Sequence, residues 1–314
     1  MSLNKSASII LRDCMALKKN ESCLIVTDKK LKSIGELLFR KSLKICKKSK
    51  LIFTNIPKSH GSEPPQNVAE EMLNYDVILL PTTKSLSHTR ARNAASKTGA
   101  RIASMPGITE DMMNRALNVD FYKIRELNNK LISKLKNRNK IKIITKKGTN
   151  IEFNLKERKW KPDDGIYTKR GDFGNLPAGE IFIAPLEGKT SGKLVCDASV
   201  GGIGKVDKNI EIIVKGGFIE SVRGGNVANQ FKKLLKNKLY RNVAELGIGT
   251  NPKAKITGEV LEDEKVMGTC HIAFGNNRHF GGNVDVPFHV DFVIRNPTIY
   301  ADNILIMNNG KFSP

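Results

Sequence analysis

An α/β fold, with an N-terminal doubly wound parallel sheet followed by a β-rich α+β domain, is predicted by three observations. Short apolar runs alternate with amphipathic helical patterns as far as Leu117, which implies parallel strands joined by helical crossovers. Beyond residue 135 the texture changes to short strands separated by glycines. The length of 314 residues, 39% of them hydrophobic, suffices for two cores. The domains are therefore expected to span residues 1–135 and 136–314, the second of them carrying the chemistry.

In chain order, 23–27 reads as a strand, 31–46 as an amphipathic helix, 51–56 as a strand, 68–73 as a short helix and 76–80 as a strand. A helix over 88–98, a strand over 101–104 and a helix over 109–117, with Thr109 placed to cap it, complete the first half. No glycine-rich phosphate fingerprint follows the first strand, where Thr27-Asp28-Lys29-Lys30 stands instead, so nucleotide binding by this half is disfavoured. A polar helix over 120–137 leads to β-prone runs at 140–145 and 150–155, joined by the turn-like Lys147-Gly148-Thr149-Asn150. Glycine pairs at 201–202, 216–217, 224–225 and 281–282 then punctuate short strands, interrupted by one clear helix over 226–239.

The formal net charge of +22 points first to an acidic partner such as nucleic acid. Its distribution argues otherwise: from Glu245 onward six Lys or Arg face eight Asp or Glu, a net of −2, leaving about +24 for the rest. The basic runs have no aromatic interleaving and only 6% of residues are aromatic, so they read as solvated lysine faces and nucleic acid is an unlikely partner. Five cysteines without a C-x-x-C spacing read as reduced, buried thiols. No apolar run approaches the roughly 20 residues of a membrane span and no signal core opens the chain, so a cytoplasmic, membrane-free protein is expected.

Chemistry is concentrated late in the chain. In Pro287-Phe288-His289-Val290-Asp291-Phe292-Val293, apolar residues alternate with His289 and Asp291, so on a strand those two project from one face. Imidazole and carboxylate so spaced can ligate one metal ion or orient each other. His271 lies on a second short strand, Glu245 stands among residues otherwise fit for a core, and Glu180 sits at the entrance of the apolar strand 181–184. A buried lone glutamate is expensive unless paired or metal-bound. Together these five form a ligand set suited to a divalent transition metal.

The strings N-L-P-A-G-E at 175–180, A-E-L-G-I-G-T-N-P at 244–252, L-E-D-E-K-V-M-G-T-C-H-I-A-F-G at 261–275 and H-V-D at 289–291 resemble, in order and spacing, the site motifs of the aminopeptidase T family. Ser87-His88-Thr89-Arg90-Ala91-Arg92 also resembles that family's N-terminal domain. The resemblance implies a hydrolase with a two-metal site of zinc, cobalt or manganese held by Glu180, Glu245, His271, His289 and Asp291. It further implies a peptide substrate, Glu180 or Glu245 as proton shuttle, and a homodimer. Glu264 is a weaker candidate, reading as an exposed turn carboxylate beside Glu262 and Asp263. Arg278 stands where those aminopeptidases have a tyrosine suited to the oxyanion, so it either donates in its place or marks a different substrate. The chain is also shorter than those enzymes by roughly a quarter. A second enzyme class resembles this family in fold: the ring-cleaving dihydroxypyridine dioxygenases, whose single iron is held by two histidines and one carboxylate, a set that His271, His289 and Asp291 can supply. Glu180 and Glu245 count against that class, because a single ion so held would leave them as uncompensated buried charges, and two ions per chain are expected.

Overall fold

Strands that are apolar throughout, separated by helical crossovers, have both faces to bury, and the first part of the chain satisfies this with a parallel sheet. The computed structural model describes residues 3–56 and 58–314, the side chain of His279 excepted. Met1–Tyr122 with Asp163–Ala178 forms one compact unit, and Lys123–Pro162 with Gly179–Pro314 a second.

In the first unit five parallel strands lie in the spatial order Lys48–Thr54, Ser22–Asp28, Val77–Leu80, Arg101–Ser104, Phe173–Asn175. Val77–Leu80 and Arg101–Ser104 are buried at every position, as central strands of such a sheet must be. The expected helix over 31–46 forms at Lys32–Ser42, and the helices Arg90–Thr98 and Glu110–Arg115 are each capped by a threonine. Thr89 Oγ1 accepts from Arg92 N and Thr109 Oγ1 from Met112 N, both at 3.1 Å, satisfying one orphan N–H at each helix start. The helix Leu3–Ile9 was not anticipated, nor was the strand Phe173–Asn175, which comes from beyond residue 135. That strand pairs Ile102 with Phe173 and Ser104 with Asn175, bringing 163–178 back into the first unit.

The second unit holds two antiparallel sheets. One runs, in spatial order, Phe218–Arg223, Ile210–Lys215, Ser191–Cys196, Asn150–Asn154, Lys140–Ile144, Thr298–Ala301, Ile304–Asn308 and Lys311–Phe312. The expected hairpin at 140–155 is part of it, with Ile144 opposite Asn150. Gly216 and Gly217, at φ 54° and 77°, make the turn between Ile210–Lys215 and Phe218–Arg223, a conformation glycine adopts without steric cost. The other sheet runs Gly204–Lys205, Ser199–Val200, His289–Arg295, Thr269–Gly275, Val243–Gly249, Glu180–Ile183 and Lys161–Asp163. One apolar core serves both, with Ile143, Ile151, Leu194 and Ile212 from the first sheet and Ile181, Leu246, Ile272 and Phe292 from the second. The helix Asn226–Leu234 buries Val227, Ala228 and Phe231 against it. It ends five residues earlier than the sequence suggests, and a 3₁₀ turn at Lys238–Arg241, capped by Asn237, follows. Among the described residues no helix is long and apolar enough to cross a membrane.

Candidate metal centre

Three neighbouring strands of the second sheet build the cluster. Antiparallel register sets Gly247 opposite His271, Glu245 opposite Ala273, Ala273 opposite Asp291, and Gly275 opposite His289. Because side chains alternate, Glu245, His271, His289 and Asp291 share one face, while Leu246, Ile272, Phe274 and Phe292 point to the core on the other. Glu180 enters from the fourth strand, with Gly249 as its partner.

Simple alternation would put Val243 on the same face as Glu245. It does not, because the register shifts between them: Val243 pairs with Phe274 and Glu245 with Ala273, leaving Ala244 as the extra residue of a β-bulge. Val243 therefore packs in the core and Glu245 turns to the cluster. A glycine is equally required opposite His271. A Cβ on Gly247 would lie 2.0 Å from His271 Nε2 and 2.1 Å from Cε1, so the imidazole occupies the space a side chain would take.

His271 Nε2 lies 3.2 Å from Glu180 Oε2 and 3.7 Å from Glu245 Oε1; His289 Nε2 lies 3.3 Å from Glu245 Oε2 and 3.5 Å from Asp291 Oδ1. His289 Nδ1 is 2.9 Å from the carbonyl oxygen of Asn276, an acceptor only, so Nδ1 carries the proton and Nε2 is turned to the carboxylates. Three sets of ligand atoms each fall within 4.8 Å: Glu180, Glu245 and His271; Glu245, His289 and Asp291; Glu264, His271 and Asp291. Glu245 and Asp291 are each common to a set with either histidine.

The donor set fits a divalent metal. Both ring nitrogens of His271 are buried, yet neither has a hydrogen-bond partner among the described residues, which is costly unless something else is bound there. Histidine with carboxylate is also the donor chemistry of borderline transition metals.

Two expectations change. Glu264 is not an exposed turn carboxylate: its side chain is 14% exposed and reaches the cluster, while Glu262 and Asp263 are fully buried. They are buried because they tie down the adjoining loop, Glu262 accepting from Lys255 N at 2.9 Å and Asp263 from Thr257 N at 2.6 Å and Gly258 N at 2.9 Å. Arg278, read as a possible oxyanion donor, is turned to solvent and pairs with Asp285 at 2.8 Å. Sequence reasoning also missed Lys265. Its Nζ lies 2.5 Å from Glu180 Oε1 and 2.7 Å from Glu264 Oε1. Glu180 thus has a cation beside it and Glu245 has two imidazoles, so neither glutamate requires a second metal ion to compensate it.

The local field is strong. Burial alone would raise Glu245, but the two imidazoles beside it outweigh burial and hold it at about 2. Burial pushes Glu264 up to about 8, against the pull of Lys265. Burial would lower His271, but the carboxylates of Glu245, Glu180, Glu264 and Asp291 raise it to about 9, and Asp291 and Glu245 likewise hold His289 well above its usual value. In metal-stripped protein both imidazoles should therefore be protonated at neutral pH. Their pairing stabilises the stripped fold below an unfolded value of about 6.5, and that contribution is lost as pH rises through about 9. Metal must displace these protons, so affinity should rise with pH, roughly tenfold per unit for each proton displaced. Calorimetric zinc titrations between about pH 6 and 8 in buffers of different ionisation heat measure this; an affinity independent of pH, with no proton released on binding, would contradict it.

A family model described as 2,5-dihydroxypyridine 5,6-dioxygenase matches residues 28–314. A relative named 2,5-dihydroxypyridine 5,6-dioxygenase from Pseudomonas putida is 26% identical over 262 residues, covering 78% of this chain and 73% of the relative. Among solved structures, the 2,5-dihydroxypyridine dioxygenase of Pseudomonas putida superposes with a TM-score of 0.82 at 18% identity, over 99% of this chain and 96% of that one. Wild-type AmpT from Thermus thermophilus superposes with a TM-score of 0.74 at 16% identity, over 99% of both chains. The α/β architecture shared with AmpT is thus as expected, but the likeness to it is one of fold. The aminopeptidase reading, with its hydrolase and protease activity, is overturned by the family match, because the cluster motifs that suggested it occur on a scaffold common to both kinds of enzyme. The chain belongs to the 2,5-dihydroxypyridine 5,6-dioxygenase family.

Proposed function

We propose that this protein is a non-haem iron dioxygenase that opens the ring of 2,5-dihydroxypyridine or a closely related aromatic diol. The observation that carries the reading is the family match over residues 28–314. Two histidines with one carboxylate is a recurring donor set for iron in oxygenases. His271, His289 and Asp291 are the residues proposed to hold it, Asp291 being a carboxylate that falls in a ligand set with each histidine, one ion per chain in place of the zinc, cobalt or manganese pair. Iron supplies the redox chemistry that lets dioxygen react with a diol, which zinc cannot.

The chain's own residues orient and shield. Asn276 fixes the tautomer of His289 through its carbonyl. Phe280 sets its ring against His289 at 5.3 Å between centroids, and Phe182 meets Phe280 edge-on at 5.8 Å. This apolar wall lines one side of the partly exposed His289 and suits a flat aromatic substrate.

Protein purified without oxygen and loaded with iron(II) is expected to consume one O2 per molecule of 2,5-dihydroxypyridine in an oxygen electrode. It should not hydrolyse leucine amide with zinc, cobalt or manganese. Full iron occupancy without oxygen uptake on any dihydroxypyridine would overturn the reading.

A further inference from the structure

We propose that Lys265 is a built-in cation that restricts the cluster to one metal ion, its ammonium holding the carboxylate oxygens that a second ion would need. Of the three ligand sets, the two that contain His271 draw their other carboxylates from Glu180 with Glu245 and from Glu264 with Asp291. Lys265 touches both sets at once, at 2.5 Å from Glu180 and 2.7 Å from Glu264. Its side chain is 1% exposed. A divalent ion bound through either glutamate would lie beside a buried ammonium, where like charges repel with little screening. The third set, Glu245, His289 and Asp291, contains neither Glu180 nor Glu264 and stays open to a single ion, with His271 adjoining it through Glu245 and Asp291.

The backbone fixes the ammonium in place. Lys265 follows the short helix Val260–Asp263; its N–H donates to Glu262 O at 3.0 Å, and its carbonyl accepts from Asn251 N at 2.8 Å. A Cβ on Gly249 would lie 2.1 Å from Val266 O and 2.8 Å from Lys265 C, so this segment lies directly on the strand Val243–Gly249 that carries Glu245. Glu262 and Asp263, buried on loop amides, anchor its other side.

The inference rests on the cluster being the metal site proposed above and adds what selects the number of ions. The full chain, stripped by chelation and then titrated with manganese(II) without oxygen, is expected to saturate at one ion per chain by elemental analysis. Lys265→Met keeps the stem without the charge and should saturate at two, whereas Lys265→Arg should remain at one. Circular dichroism checks that each variant is folded, and Lys265→Gln serves if Lys265→Met is not. A folded charge-free variant that still saturates at one ion would overturn the proposal, and so would a wild-type chain that takes two. Two ions in a wild-type chain that consumes oxygen with the diol would sink the role of Lys265 and leave the dioxygenase reading standing. No metal uptake by the wild type would sink both.

Discussion

His271→Ala and His289→Ala are each expected to lower the iron retained after dialysis by on the order of 100-fold or more, and oxygen uptake with it, while the fold survives. Groups that only orient a metal ligand are worth about 10- to 100-fold in affinity, and removal of a donor should lie at or above the top of that range. The two variants should differ in stability. His271 is buried among carboxylates that hold it protonated in the stripped protein, so its removal costs the stripped fold that pairing at neutral pH. His289 is partly exposed and bonded to Asn276 O, so its loss also loosens the loop that Asn276 begins. Metal analysis beside thermal melting of chelator-treated protein separates the two effects. Iron retained in full by either variant would remove that histidine from the site.

Gly247→Ala should have nearly as large an effect without removing a donor atom. Gly247 lies in a strand without a left-handed backbone angle, so alanine suits its conformation and the damage is steric alone. The added methyl would fall inside the imidazole of His271, which must swing away or force the two strands apart. Overpacking of this kind costs about 1–3 kcal/mol. Tilting one donor by an ångström or so should lower iron affinity by on the order of 10- to 100-fold, as loss of an orienting partner does. The measurement is iron content and melting temperature together. A variant with normal iron and normal stability would show that the close approach of His271 to Gly247 carries no function.

Much of this was legible in the sequence because it rests on local periodicity. The alternation of apolar strand and amphipathic helix gave the parallel sheet, and the i, i+2 spacing of His289 and Asp291 put both on one face. The strand Phe173–Asn175 was not legible, since three residues around a glycine carry no apolar run and only the register with Arg101–Ser104 makes them a strand. The bulge at Ala244 was equally invisible: Val243 and Glu245 look alike in phase, and the shift depends on pairing with a strand that begins at Thr269. Glu262-Asp263-Glu264-Lys265 reads as a solvated turn because charge runs usually are one. Its burial follows from loop amides and from one lysine reaching two glutamates, contacts that no spacing rule encodes. The sequence brought the aminopeptidase and the dihydroxypyridine dioxygenase into view together, and the choice between them was hidden for a different reason. Histidines and carboxylates on the same scaffold suit a hydrolytic metal pair and an oxygen-activating iron alike, and the expectation of two ions rested on glutamates that Lys265 and the imidazoles already compensate.

The most direct test follows the oxygen atoms. Iron-loaded protein turning over 2,5-dihydroxypyridine under labelled dioxygen, with the ring-opened product analysed at once by mass spectrometry, should give a product that carries both atoms of one O2. A product labelled only from water, or diol left unchanged by fully iron-loaded protein, would contradict the assignment of this cluster to dioxygenase chemistry.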